Sequence, residues 1–241
     1  MGSIFQRFKK KQAPFCSAVI VAAGSARRMQ GVDKIMTPLG GCPVLAHTLM
    51  AFEQCPLVHE VVVVTRSDLI VPVGELCQGY HLVKVTKVVA GGEDRSHSVR
   101  NGLNQVSREA ALIAIHDGAR PFVSQTLLEQ VITAAGKTGA AAPAVPVSDT
   151  IKTAKDGVVT GTPDRSALFA VQTPQVFDAD LIRGALYHCL EKGLALTDDC
   201  SAVEHIGKQV TLVPGESRNL KITTQFDLLI GEAVVSCQDV Q

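Results

Sequence analysis

The chain has no tryptophan, and aromatic residues make up only 4% of its 241 positions. A core without large rings must be filled by Val, Ile, Leu and Ala, which suits a parallel sheet covered by helices. Net charge is also absent, because 23 Lys and Arg balance 23 Asp and Glu. The balance argues against a nucleic-acid or membrane-surface protein held by bulk electrostatics, and leaves room for a local cationic pocket. No apolar run approaches the roughly 18 residues of a membrane helix. The seven cysteines are odd in number and form no Cys-x-x-Cys pair. Neither zinc nor a disulfide framework is expected, and reduced thiols in a cytoplasmic protein are the plain reading. There is no internal repeat and no low-complexity segment.

Two phosphate-binding signatures are missing as well. No Gly-Lys-Ser/Thr follows Gly24, which excludes a P-loop. Ala26 stands where the dinucleotide fingerprint needs its second glycine, which excludes a nicotinamide oxidoreductase. No Ser–His or Cys–His pair suggests nucleophilic catalysis.

What the chain does have begins with Val19-Ile20-Val21-Ala22-Ala23, running into Gly24-Ser25-Ala26-Arg27-Arg28-Met29, with Lys34 beyond. Small residues after a strand let backbone N–H groups approach phosphates, and cations offset the remaining charge. Standing alone, the segment could also be a strand-to-helix turn with solvated arginines.

Strand-like runs at Cys16–Ala22, Glu60–Thr65, Lys84–Val89, Leu112–His116 and Ala140–Val147 alternate with helical patterns at Pro43–Gln54, Ser67–Gln78, Ser96–Val106 and Ser124–Ala135. This order predicts right-handed crossovers and a doubly wound parallel sheet, with ligands outside the carboxyl ends of the strands. Ser124 should cap one helix, and Asp178 or Asp180 should open another over Leu181–Leu190. Residues of about 148–163 read as a two-stranded ribbon turned at Asp156-Gly157. A ribbon of that size is marginal alone and is expected to pack on a second subunit. Residues 1–12 form a basic N-terminal extension without the apolar core of a signal peptide, and residues 13–241 one domain.

Four more polar clusters follow. Gly91-Gly92-Glu93-Asp94-Arg95-Ser96-x-Ser98 offers close backbone approach to a base, or simply a capped helix start. In His116-Asp117-Gly118-Ala119-Arg120-Pro121 the carboxylate at a strand tip suits Mg²⁺ and the arginine suits a phosphate. His116 at a strand end reads as structural. Asp149-Thr150-Ile151-Lys152, Asp164-Arg165 and Gln172-Thr173-Pro174-Gln175 form the next group. Leu196-Thr197-Asp198-Asp199 and Arg218-Asn219-Leu220-Lys221-Ile222 complete the set.

Taken in order, AAGSARRM, Lys34, GGEDRSHSV, HDGARPF, SDTIK, DR…QTPQ, LTDD and NLKIT resemble the 2-C-methyl-D-erythritol 4-phosphate cytidylyltransferase family, from about Cys16 to Val235. The resemblance implies a Rossmann-like, mostly parallel sheet of the nucleotide-diphospho-sugar transferase type, with a protruding β-arm that pairs two subunits into a homodimer. It implies cytidylyl transfer from CTP to methylerythritol phosphate with Mg²⁺, in the non-mevalonate route to isoprenoids. By motif position, Ala22, Ala23, Gly24 and Ser25 would line the CTP phosphates. Arg28 and Lys34 would stabilise charge on the α-phosphate and pyrophosphate. Gly91, Gly92, Glu93 and Ser98 would surround cytosine and ribose, and Asp117 would hold the metal. Arg120, Thr150, Thr173, Thr197 and Lys221 match the sugar-phosphate side, and Arg165 the arginine donated by the other subunit. Glu93 stands where Asp is usual and Ile35 where Gln is frequent. Ribitol-5-phosphate cytidylyltransferase shares this chemistry and is the nearest alternative; a non-catalytic nucleotide-binding module is the alternative of another class. Nucleic acid and membrane are not expected partners.

Overall fold

Strand and helix alternate along the computed structural model, which describes residues 14–24 and 34–238. β1 (Cys16–Ala22) is followed by a small hairpin of β2 (Pro38–Leu39) and β3 (Cys42–Pro43) and by α1 (Val44–Gln54). Next come β4 (Glu60–Thr65), α2 (Ile70–Gly79), β5 (Val85–Ala90), α3 (Arg95–Leu103), β6 (Leu112–Asp117), α4 (Gln125–Thr138) and β7 (Ala140–Pro146). The ribbon strands are β8 (Thr153–Lys155) and β9 (Val158–Gly161), followed by β10 (Phe169–Val171) and β11 (Gln175–Asp178). The chain then forms α5 (Ala179–Glu191), α6 (Asp199–His205), β12 (Thr211–Pro214) and α7 (Gln225–Gln238).

The main sheet has the order β10-β7-β11-β6-β1-β4-β5, with β12 beside β7. β6, β1, β4 and β5 are mutually parallel, and β12 runs parallel to β7. Among the described strands of this sheet, only β10 and β11 run against their neighbours. The expected doubly wound, mostly parallel α/β architecture is therefore present, with an antiparallel strand wedged between β6 and β7.

Two-residue periodicity assigns the faces. Cys16, Ala18, Ile20 of β1, Val61 and Val63 of β4, and Leu112 and Ala114 of β6 pack with α1, α2 and α4. Val19, Val62, Val64, Ile113 and Ile115 point the other way, into α3, α5 and α6. The same parity sends His116 to the α1 side, where its ring lies 5.0 Å from that of Phe52. It leaves the next residue, Asp117, facing α3. Gly102 lets α3 lie close to the sheet, since a Cβ there would meet Val19 Cγ1 at 2.4 Å and Val64 Cγ2 at 2.8 Å.

Local chemistry explains the element ends. Ser124 accepts from Leu127 N to start α4, and Gly139, with φ of 85°, ends it. Asp178, not Asp180, caps α5 by accepting from two backbone N–H groups. The single helix expected from Ser67 divides into a 3₁₀ turn at Ser67–Leu69 and α2, with Pro72 in the first turn of the latter, where a missing N–H costs least. The ribbon turns at Asp156 and Gly157, both in the left-handed region with φ of 52° and 80°.

β10 and β11 form one interrupted run beside β7. Gln172 N donates to Pro143 O, and four residues later Val176 stands opposite Ala141. Four steps of one chain thus pass two of the other, a bulge that lifts Thr173 out of the ladder.

Candidate active site

The ends of three strands and the approach to α7 enclose a cavity of about 570 Å³. Ala22, Ala23 and Gly24 come from the end of β1, Lys34 and Ile35 from the segment before β2, and Asp117 and Ala119 from the end of β6. Gly92, Glu93, Asp94, Arg95 and Ser98 come from the turn between β5 and α3, and Lys221 from the segment before α7. The convergence expected at the carboxyl ends of parallel strands is realised here. Gly91 lies just behind the wall: a Cβ on it would meet Ala23 Cβ at 2.4 Å, so the two loops are in van der Waals contact only because the position is glycine.

Asp117 is the electrostatic centre. Lys221 Nζ stands 2.8 Å from its Oδ2, Arg120 Nε 3.5 Å from the same oxygen, and Arg95 Nε 3.6 Å from Oδ1. Burial pushes this carboxyl up, but Lys221, then Arg95 and Arg120, outweigh burial and hold it well below the usual carboxylate range. Three cations therefore converge on this one carboxylate.

Arg95 was not singled out by the sequence reading. It opens α3, where the positive end of the helix dipole disfavours a cation, so it needs an anionic partner. Asp199 supplies one, accepting from both guanidinium nitrogens at 2.9 and 2.7 Å. Burial draws the guanidinium pKa down, and Asp199 and then Asp117 raise it further, so Arg95 stays charged. Gln175 Oε1 accepts from the backbone N–H groups of Asp199 and Cys200, which fixes α6 and its carboxylate. The signal available in sequence was this conflict between a cation and a helix start.

Comparison with known proteins identifies the scaffold. The family model for 2-C-methyl-D-erythritol 4-phosphate cytidylyltransferase matches residues 16–237. The enzyme of that name from Syntrophus aciditrophicus is 41% identical over 229 residues, covering 94% of this chain and 98% of its own. That from Halalkalibacterium halodurans is 44% identical, with 91% and 96% covered. The crystal structure of 4-diphosphocytidyl-2C-methyl-D-erythritol synthase from Anaerococcus prevotii superposes with a TM-score of 0.83 at 32% identity, over 93% of this chain and 97% of that one. The chain belongs to the 2-C-methyl-D-erythritol 4-phosphate cytidylyltransferase family.

The family resemblance named further residues, and the structure distributes them unevenly. Ser25 and Arg28 lie outside the described residues. Thr150, Thr197 and Arg165 are exposed and stand off the cavity wall, Arg165 donating to Ser148 O at 2.7 Å. Arg120 is largely buried, donating to Asn219 O at 2.7 Å while its Nε faces Asp117. Ser98 accepts from Gly92 N and donates to Asp94 O, so its hydroxyl clips the turn that it was expected to use on a ligand. Thr173 is buried, and its hydroxyl is occupied by His116 and the Asp117 N–H. Among the described residues no helix is long and apolar enough to cross a membrane, and no three His, Cys, Asp or Glu side chains form a metal-binding group.

Proposed function

We propose that this chain transfers a cytidylyl group from CTP to 2-C-methyl-D-erythritol 4-phosphate. The products would be pyrophosphate and 4-diphosphocytidyl-2-C-methyl-D-erythritol, a step of the non-mevalonate route to isoprenoids. The observation that carries this reading is the group of Lys221, Arg95 and Arg120 around a single carboxylate, on a cavity also lined by Lys34 and by the small residues ending β1.

The nucleophile in this reaction is a phosphate monoester, already ionised at neutral pH because its second pKa is about 6. No general base is needed. In keeping with that, His116 is fully buried and has both ring nitrogens engaged. The obstacle is repulsion between two anions meeting at one phosphorus. Each cation about 4 Å from a phosphate oxygen contributes on the order of 4 kcal/mol at an effective dielectric of about 20, before desolvation. Lys34, Arg95 and Lys221, preorganised on the cavity wall, would account for much of the lowering of the barrier. Backbone N–H groups at Ala23 and Gly24 would cradle the triphosphate, and the glycine turn at Gly91 and Gly92 would hold the base through main-chain groups, with Glu93 beside it.

Mg²⁺ fits at Asp117. The Asp117 carboxylate lines the cavity, and the contact of its Oδ1 with Arg95 Nε, at 3.6 Å, is longer than a good hydrogen bond. A single carboxylate plus phosphate oxygens and water is an ordinary Mg²⁺ environment. When bound there, the ion would offset phosphate charge alongside the lysines.

The ribbon of β8 and β9 would pair two copies of the chain into a homodimer. Val158 and Val159 on it are 68% and 57% exposed, as are Phe169 and Val171 of β10 in lesser measure, which leaves an apolar face for a partner. Thr150 and Arg165 at the base of the ribbon would then serve the partner's cavity. Co-refolded dimers of Arg165→Ala and Lys221→Ala chains should recover part of the activity that each variant lacks, and no recovery would remove donation across subunits. Seven unpaired cysteines suit a cytoplasmic location. The deciding assay is Mg²⁺-dependent pyrophosphate release from CTP, with methylerythritol phosphate and ribitol phosphate in separate reactions. Release only with the former supports the reading; tight CTP binding with no release from either overturns it.

A further inference from the structure

Arg95 is held at both ends. Its backbone opens α3 at a tightly tied turn. There Ser98 Oγ accepts from Gly92 N at 3.0 Å, Asp94 Oδ1 accepts from His97 N at 2.8 Å, and a Cβ on Gly92 would meet His97 Cβ at 2.4 Å. Its head forks onto Asp199, with Nη1 2.9 Å from Oδ1 and Nη2 2.7 Å from Oδ2. That fork leaves the Nε edge toward Asp117 Oδ1, at 3.6 Å. Asp199 is in turn fixed, because it is buried and Gln175 spends its whole amide on the start of α6. Gln175 Oε1 accepts from the N–H groups of Asp199 and Cys200 at 2.9 and 3.0 Å, and Nε2 donates to Asp198 Oδ2 at 2.8 Å. Gln175 itself stands opposite Ile115 on β6, two residues before Asp117. A path from β6 through Gln175, Asp199 and Arg95 therefore returns to the carboxylate at the tip of β6.

Stability alone does not call for this arrangement. A buried ion pair adds little over apolar side chains of similar volume, since desolvation offsets the attraction. A cation in the first turn of α3 is disfavoured further by the helix dipole, whereas Asp199 suits the start of α6. What the pair does secure is a planar set of donors at a fixed place on the wall that also carries Lys34 and the small residues ending β1. The Arg95 side chain is still 31% exposed there, and Nε and one N–H on each Nη remain free of the fork.

We propose that Arg95 is a ligand of the CTP phosphate chain, and that Asp199, backed by Gln175, is a positioning residue of the reaction that acts through it. The inference rests on the transferase reading above and deepens it. Arg95 comes from the turn that faces the base, and Asp199 from the turn that follows Thr197, so the bridge also ties two separate loops of the cavity into one frame.

Asp199→Asn keeps the shape, removes the charge and sets an amide against one arm of the fork. Asp199→Asn and Arg95→Gln should each lower kcat by roughly 10²-fold, as for a displacement of about an ångström at a reacting group. Each should weaken binding of CTP alone in calorimetry by roughly tenfold, the loss of one charged hydrogen bond. In the double variant both losses should match those of Arg95→Gln within about threefold, because Asp199 then has nothing left to hold. Arg95→Lys keeps the charge without the fork and should behave as Arg95→Gln does. Losses that multiply in the double variant would mean that Asp199 serves the fold and not Arg95, and would overturn the proposal. Wild-type CTP affinity in Arg95→Lys would overturn it too, and that variant decides the matter if Asp199→Asn does not fold, since it leaves every buried carboxylate in place. Calorimetry with CTP needs no second substrate. An absence of pyrophosphate release from the wild type would therefore count against the transferase reading, and an unaltered CTP affinity against the bridge.

Discussion

Mild acid should weaken this fold through one side chain. His116 has no exposed surface, and burial lowers its pKa from 6.5 to about 4, against the smaller opposing effects of the Arg120 carbonyl and Asp117. Between those two values the unfolded chain binds a proton that the folded chain refuses, so stability falls as pH falls through this window. From pH 7 to pH 5 the loss is about 2 kcal/mol, approaching about 3 kcal/mol once both states are protonated. Asp117 acts at a different pH. Its folded pKa is depressed, so its contribution is fully present above the ordinary carboxylate value, is lost only in stronger acid, and stays constant between pH 7 and 5. The measurement is urea unfolding at pH 7, 6 and 5, at one protein concentration, for the wild type and for His116→Gln, whose amide can still donate and accept. The variant should be less stable at pH 7, and the gap should narrow by about 2 kcal/mol at pH 5. Contributions of the six other histidines are common to both proteins and cancel. Two parallel pH profiles, with a constant gap, would refute the reasoning.

Lys34→Ala should lower turnover by roughly 10²-fold or more in the pyrophosphate-release assay, as for loss of one preorganised charge at a reacting phosphate; unchanged turnover would remove it from the mechanism. Gly102→Ala should cost about 1–3 kcal/mol in urea unfolding, because its Cβ would meet Val19 Cγ1 at 2.4 Å in a well-packed interior. An unshifted midpoint would mean that α3 can lift from the sheet freely. Thiol labelling of the folded protein at pH 8 should modify exposed Cys237 rapidly and Cys16 hardly at all, since burial raises the latter's pKa to about 12. Labelling of both at similar rates in mass-spectrometric mapping would contradict that packing.

The first half of the fold was legible because its strands are continuous β-branched runs and its helices show one apolar face. Val61–Val64 and Leu127, Leu128, Val131 and Ile132 each permit a single interpretation. The second half was less so. β11 is four residues long and begins beside Pro174, which read as a loop, and β12 ends in Pro214. Their strand character comes from β6 and β7 alongside, a tertiary effect that no local pattern records. In the site, the cations and the carboxylate were visible as motifs. Roles of hydroxyls were not, because Ser98 and Thr173 look the same in sequence whether they face a ligand or hold a turn. Arg95 passed unnoticed for a related reason: its partner Asp199 is more than one hundred residues away, and only the folded chain shows the pair.

The slip beside β7 has a consequence for how this protein can vary. Between Gln172 and Val176 the chain takes four strides while Pro143 to Ala141 takes two, and the slack so created is what carries a hydroxyl up to the tip of β6. Removing one residue from that slack would reverse the facing of everything before or after it, since side chains alternate strictly along an extended backbone. The length of this segment is therefore constrained separately from the side chains it carries, among them Gln172 and Gln175, whose amides are themselves engaged.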